Sequence, residues 1–388
     1  MQTDPKQQQL RKDLLYSITV KMDTSINGTY LDDSMSQHHF QNGSCDYLSP
    51  TVSQYQKRLV PIFYTFIFLL GFLGNSLVIC VFCQSSSRRT VANTYLVNLA
   101  CSDLLFLCSL PFWAVYYSMG YDWVFGSTAC KLCGALLTLN VYASVFFITC
   151  MSVDRYWAIV YPLCTRSVCH ARGISAMIWL VAVLSTLPTL VFRDTHYFRD
   201  LNVTACVMTY PKEVWHPILT LIKITLGFLL PFIIMATCYS RIGCHLMATP
   251  DLIDQGQSRI DRVLRMVIAV VLAFFLCWCT FHILAFLGAL RDLGVTLSCR
   301  TDQAVGALLP ISLCLGFSNS AINPFLYCFV GNHFREQLCR LYEEKAPRLS
   351  QKRDSISTRL SSFSRKLSDV KDPGTVENLP QKDCPLEA

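Results

Sequence analysis

The chain has 388 residues, of which 52% are hydrophobic and only 15% charged, against about 25% charged in an average soluble domain. Seven uncharged or nearly uncharged runs of 20 or more residues take up much of its length, and each is long enough to cross a bilayer core of about 30 Å as a helix. A soluble two-domain enzyme is thereby excluded. The formal net charge of +7 sits in short segments between the runs and in the C-terminal tail, where it marks the cytoplasmic face rather than a nucleic-acid partner.

In chain order, residues 1–57 are too polar to hold the apolar core of a cleavable signal peptide, so the first run is expected to insert as a signal anchor. The runs are Leu59 to Cys83, Thr90 to Tyr117, Leu132 to Val153, Gly173 to Phe192, Val214 to Ser240, Met266 to Leu290 and Gln303 to Val330. Pro111, Pro188, Pro231, Pro310 and Pro324 lie inside runs and predict kinks, which a membrane bundle tolerates because neighbours satisfy the freed carbonyls. The predicted fold class is an all-α membrane protein, a seven-transmembrane bundle over 58–330 with a glycosylated extracellular tail over 1–57.

Orientation follows from the basic residues. Arg88, Arg89, Arg166, Arg172, Arg241, Arg259, Arg262 and Arg265 follow runs one, three and five. The opposite loops pair their few cations with acids, Arg193 with Asp194 and Arg291 with Asp292 among them, so the N terminus is placed outside the cell. The glycosylation triplets beginning at Asn27, Asn42 and Asn202 all fall on that outer side.

Beyond Val330, Phe334, Leu338 and Leu341 at helical spacing predict a short amphipathic eighth helix over 331–342 on the inner membrane surface. Cys339 is either a palmitoylation site there or an unmodified thiol among headgroups. Residues 343–388, rich in Ser and Lys/Arg, read as a disordered cytoplasmic tail open to receptor kinases and arrestin. Most of the 20 cysteines lie inside apolar runs, where a thiol is a small hydrophobe.

Two permanent charges interrupt the runs. Asp103 needs donors or a cation to offset its burial. Lys223 lies about nine residues into run five, roughly 14 Å along the helix, in a run without an acid. That is too deep to snorkel easily, so it is expected to face a water-filled cavity and an anion.

Asp154-Arg155-Tyr156 at the inner end of run three, Asn323-Pro324 to Tyr327 in run seven, Asn75, Asp103 and Trp179 together resemble the rhodopsin-like (class A) G-protein-coupled receptors. Longer stretches, Tyr121 to Gly126, Phe146 to Arg155 and Asn323 to Gly331 among them, resemble the angiotensin II receptors and type 2 in particular, with bradykinin-receptor-like segments around Asn202 to Cys206. The resemblance implies a cell-surface receptor for a peptide hormone, coupled to heterotrimeric G proteins or arrestin. A kinin receptor and a weakly signalling scavenger are the alternatives.

The same resemblance implies the site residues. Lys223 and Arg193 would clamp the ligand's C-terminal carboxylate, beside Trp113 and Tyr64, with Trp278 coupling the pocket to helix six. Asp103, Asn140, Ser144, Asn319 and Asn323 would hold an allosteric sodium ion, or else form a purely structural polar knot. Asp154, Arg155, Tyr156 and Tyr327 would serve G-protein coupling, and Cys130 would be bonded to Cys206. With that bond assigned, Cys45 and Cys299 are left as the other outer pair.

Three residues depart from the pattern: Thr280 stands where the family has proline, and Gly288 and Gly306 where it has acids that receive an arginine of the hormone. Asp292 or Asp302 are the candidate substitutes for those acids. No lysine in run seven, no phosphate loop and no metal pair at helical spacing are present in the sequence, so a retinal protein, an enzyme and any resident cofactor other than sodium are not expected.

Overall fold

A computed structural model describes residues 50–84, 90–162, 167–199, 202–212, 214–248, 257–330, 334 and 338–340. Asn27, Asn42, Cys45 and the tail over 343–388 lie outside the described residues. Among the described residues, seven helical segments are long and apolar enough to span a membrane, which matches the predicted architecture. They comprise α1 (Pro50–Gln84), α2 with α3 (Val91–Leu107, Leu110–Ser118), α4 (Gly126–Val160), α5 with α6 (Val168–Ser185, Leu187–Phe192), α7 with α8 (Trp215–Ile224, Leu230–Ala248), α9 (Gln257–Asp292) and α10 (Cys299–Val330). The first helix begins at Pro50, ahead of the expected start of the bundle.

The bundle closes by packing span six on seven, seven on one, and two on three. Span three runs through the centre, against spans two, four, five and six. Large apolar side chains such as Leu73 and Leu276 are 68% and 75% exposed, a surface suited to lipid tails. The buried side carries interlocking aromatics, with Tyr64, Phe106 and Trp278 each against Phe317 at 5.0–6.3 Å between ring centroids. On the face opposite the hairpin described below, Thr90 and Ser167 cap spans two and four, their hydroxyls accepting from the Asn93 and Cys169 amides at 3.1 Å.

The prolines act unequally. Span two breaks at Cys108–Ser109 before Pro111, and span four at Thr186 before Pro188, as a ring without an N–H and the restricted residue before it require. Span five takes up Pro231 differently, through a π-helical turn at Thr225–Leu229. Span seven stays one helix through Pro310 and Pro324, and span six is unbroken through Thr280.

The all-α expectation misses one element. Between spans four and five, β1 (Arg193–Phe198) and β2 (Val203–Met208) pair antiparallel, Arg193 opposite Met208 and Thr195 opposite Cys206. Asn202 turns the hairpin with a φ of +53°, a conformation Asn tolerates better than most residues. The Asp122 carboxylate accepts from the Thr204 amide at 2.8 Å and the Trp123 amide donates to the Thr204 carbonyl at 2.6 Å, so the loop after span two grips β2.

Candidate functional site

Under the hairpin lies a cavity of about 1530 Å³ including its open mouth. Lys223, Arg193, Trp113, Tyr64 and Trp278, the ligand residues expected from the sequence, all line it. They come from spans one, two, five and six and from β1, so no local stretch of chain could assemble them.

Strand alternation decides where Arg193 goes. It opens β1 facing inward and is 7% exposed, with its guanidinium carbon 5.0 Å from the centre of the Trp113 ring, within cation–π range. Its Nε donates to Cys206 Sγ at 3.4 Å. Asp194 faces the other way and pairs with Lys131 at 3.1 Å, so the expected Arg193–Asp194 pair is replaced by one that the pleat permits. The Ser127 hydroxyl, with the Thr195 amide and Lys131, holds the Asp194 carboxyl below its usual range.

The hairpin is fixed by the Cys130–Cys206 disulfide, with Cα atoms 5.7 Å apart, joining β2 to the start of span three. Cys299 is also disulfide-bonded; its expected partner Cys45 lies outside the described residues.

The cavity floor is aromatic. Trp278 is 4% exposed and packs on Phe281 at 5.6 Å and on Phe317 at 6.3 Å. Its ring rests against Gly316, where a Cβ would come within 2.9 Å of it, so span seven provides a seat that only glycine leaves open. Tyr64 meets Tyr117 edge-on at 5.6 Å.

Below the floor, Asp103 is fully buried. Its Oδ1 accepts from Asn140 Nδ2 at 2.9 Å, Ser320 Oγ at 2.8 Å and, at 3.4 Å, Ser144 Oγ; its Oδ2 accepts from Asn323 Nδ2 at 3.0 Å. Ser320 was not among the expected members. It stands beside Asn319, whose buried Oδ1 has no hydrogen-bond partner among the described residues. The period of a helix fixes the two positions to within a residue, and a serine in a polar stretch of span seven was the available signal.

At the end of span three away from the hairpin, Arg155 donates to the Asp154 carboxylate, and its Nε is buried without a partner among the described residues. Tyr327 is 1% exposed with its hydroxyl likewise unpaired.

At the hairpin side a chain of polar contacts joins spans five, six and seven. Thr220 Oγ1 lies 3.3 Å from His216 Nε2, His216 Nδ1 lies 2.6 Å from Asp292, and Arg291 meets Asp292 at 3.4 Å and Asp302 at 3.0 Å. Asp292 and Asp302, the expected substitutes for the acids absent at Gly288 and Gly306, are thus engaged by Arg291 and His216. A Cβ at Gly288 would meet nothing within 4 Å.

Comparison with known proteins bears on this arrangement. The model of the 7 transmembrane receptor (rhodopsin family) matches residues 74–327. The type-2 angiotensin II receptor of Homo sapiens is 46% identical over 315 residues, covering 79% of this chain and 86% of the relative. That of Rattus norvegicus is 44% identical over the same shares. The type-1 angiotensin II receptor B of Xenopus laevis is 39% identical over 317 residues, 80% of this chain and 86% of the relative. Identity of that extent across most of both chains carries the fold and its ordered motifs together: the chain belongs to the rhodopsin family of seven-transmembrane receptors.

Proposed function

We propose that the protein is a plasma-membrane receptor for an angiotensin-like peptide hormone, with its N terminus outside the cell, signalling through heterotrimeric G proteins, arrestin or both. The carrying observation is that Lys223, Arg193, Trp113, Tyr64 and Trp278, from five separate elements, line one cavity beneath the hairpin. Two cations and an indole whose buried N–H has no partner among the described residues suit a carboxylate at the end of a peptide. The aromatic walls suit the apolar side chain beside that carboxylate.

In this reading ligand pressure on Trp278 is passed through its seat at Gly316 to spans six and seven. Arg155 leaves Asp154 to meet backbone groups of a G protein, with Tyr156 and Tyr327 alongside. The exposed Asn202 supports glycan attachment at the hairpin turn, and Asn27 and Asn42 complete the proposed outer set. Cys339 is exposed in the helical stretch 338–340, which supports a palmitoyl anchor on the amphipathic helix. The polar tail beyond it would recruit receptor kinases and arrestin.

The residues around Asp103 fit a sodium ion: one carboxylate is joined by hydroxyl oxygens of Ser144 and Ser320, and the buried Oδ1 atoms of Asn319 and Asn323 lack partners among the described residues. When bound, the ion would supply the positive charge that offsets a buried carboxylate. Asp103→Asn is then expected to abolish sodium dependence of agonist affinity in membranes titrated with sodium against a bulky organic cation. A sodium effect of native size in that variant would sink the ion site and leave a structural polar knot.

A second reading, another peptide such as a kinin, is favoured by Asp292 and Asp302 being held by Arg291 and His216. The unbroken span six through Thr280 favours a weakly signalling scavenger. A screen of angiotensin and kinin peptides on intact cells, reading binding and G-protein activation together, separates them. The expected result is angiotensin binding with activation in the native receptor, and binding without activation in Arg155→Ala. Kinin binding alone, or angiotensin binding without native activation, would replace the leading reading by the corresponding alternative.

A further inference from the structure

Gly134 lies in span three, one helical turn below Cys130, and faces the side chain of Arg193. A Cβ built on it would stand 2.5 Å from Arg193 Cδ, 2.8 Å from Nη1 and 3.0 Å from Nε, and these are its three nearest heavy atoms. The backbone of Arg193 has little freedom to retreat: it is paired with Met208 in the hairpin, and β2 is bonded through Cys206 to Cys130. Cys206 Sγ bounds the guanidinium on one side and the Trp113 ring on another. Gly134 bounds it on a third side, where a side chain would collide with Arg193.

Glycine inside a helix is intrinsically unfavourable, because it loses more backbone freedom than alanine on folding. At Gly134 the three nearest atoms that a Cβ would meet all belong to the Arg193 side chain, so that side chain is the first obstacle. The helix turn is otherwise reinforced, with Thr138 Oγ1 donating to the Gly134 carbonyl at 3.1 Å.

We propose that Gly134 is a positioning residue that admits the Arg193 guanidinium into the cavity and so sets the receptor's preference for a ligand bearing a terminal anion. The functional half rests on the carboxylate reading given above; the structural half does not. A methyl group at this position displaces a flexible side chain rather than a helix, so the guanidinium leaves its place against Trp113 while the bundle stays intact.

The test uses full-length receptor in four forms: native, Gly134→Ala, Arg193→Ala and the double variant. Thermal unfolding without ligand reads the fit. Gly134→Ala is expected to lower the melting temperature of the native form and to raise that of Arg193→Ala by about 1–3 °C, because alanine is the better helix former once the obstructing side chain is gone. A loss of equal size in both backgrounds, or a double variant that fails to fold where Arg193→Ala folds, overturns the proposal.

Binding reads the function, with angiotensin II and its C-terminal amide as probes. The affinity ratio of acid to amide in Gly134→Ala is expected to shrink to that of Arg193→Ala. If Arg193→Ala shrinks the ratio and Gly134→Ala leaves it at the native value, Gly134 does not position the guanidinium. If Arg193→Ala itself leaves the ratio unchanged, the carboxylate reading fails, and the melting series alone decides whether Gly134 seats Arg193.

Discussion

Lys223→Ala is expected to weaken binding of a peptide with a free C-terminal carboxylate by about 2–5 kcal/mol, roughly 30- to 5000-fold. The size comes from losing a charge-assisted hydrogen bond and leaving the ligand's anion in a walled site. Lys223 lines the cavity with Arg193 and lies one turn from Thr220, which ends the polar chain from spans six and seven. Neutralising the ligand should mimic removing the lysine. On the native receptor the C-terminal amide should bind weaker than the acid by a similar factor, and on Lys223→Ala the amide should lose little more. Equilibrium binding of both peptides to both receptors closes the cycle. Independent, additive losses would assign Lys223 to the fold instead of the ligand. A control at Ser185, which lines the same cavity without charge, should leave the acid-to-amide ratio at its native value.

The spans were legible because continuous apolar runs of 20 or more residues fit membrane helices and not the short alternating strands of a barrel. Their breaks were less so. Pro111 and Pro188 sit where their helices break, yet Pro310 and Pro324 lie inside one continuous helix, so a proline in an apolar run does not by itself say whether the helix stops or only bends. In span five the π turn at Thr225–Leu229 adds a residue just after Lys223. Counting faces through the run therefore goes out of step by roughly 100° there.

The hairpin reads as loop in the sequence because its strands are short and its apolar alternation is weak: His196 and Tyr197 are exposed in succession and Cys206, Val207 and Met208 buried in succession. The consequence was a mispaired Arg193. Adjacent opposite charges suggested an ion pair, whereas neighbours on a strand point to opposite faces, which sends Arg193 to the cavity and Asp194 to Lys131. Resemblance pointed Arg193 toward the cavity, which it lines, where local charge counting paired it with Asp194. Ser320 and the links from Arg291 to Asp302 and from Asp292 to His216 escaped for another reason, although the Arg291–Asp292 pair was legible. They depend on rotation of one span about another, and a run's own periodicity leaves that rotation undetermined within a residue or so.

The second large effect is expected at the hairpin's tether. Cys130→Ser or Cys206→Ser should abolish high-affinity peptide binding, a loss of 100-fold or more, because the bond does two things at once. It closes a loop of 76 residues in sequence separation, whose release costs about 4.5 kcal/mol of stability in the chain-entropy account. It also holds the sulfur that accepts from Arg193 Nε, so the guanidinium loses its place over the cavity together with the strand that carries it. The double variant should be no worse than either single one, since each alone already breaks the bond. A membrane-impermeant reductant on intact cells should reproduce the loss in native receptor and add little in the Cys130→Ser variant beyond its effect through Cys299, which is bonded separately. Thiol labelling reports when Cys130 and Cys206 are free. Native affinity with both thiols labelled would separate the cavity from the hairpin, and would count against the proposed contact of Arg193 with the ligand.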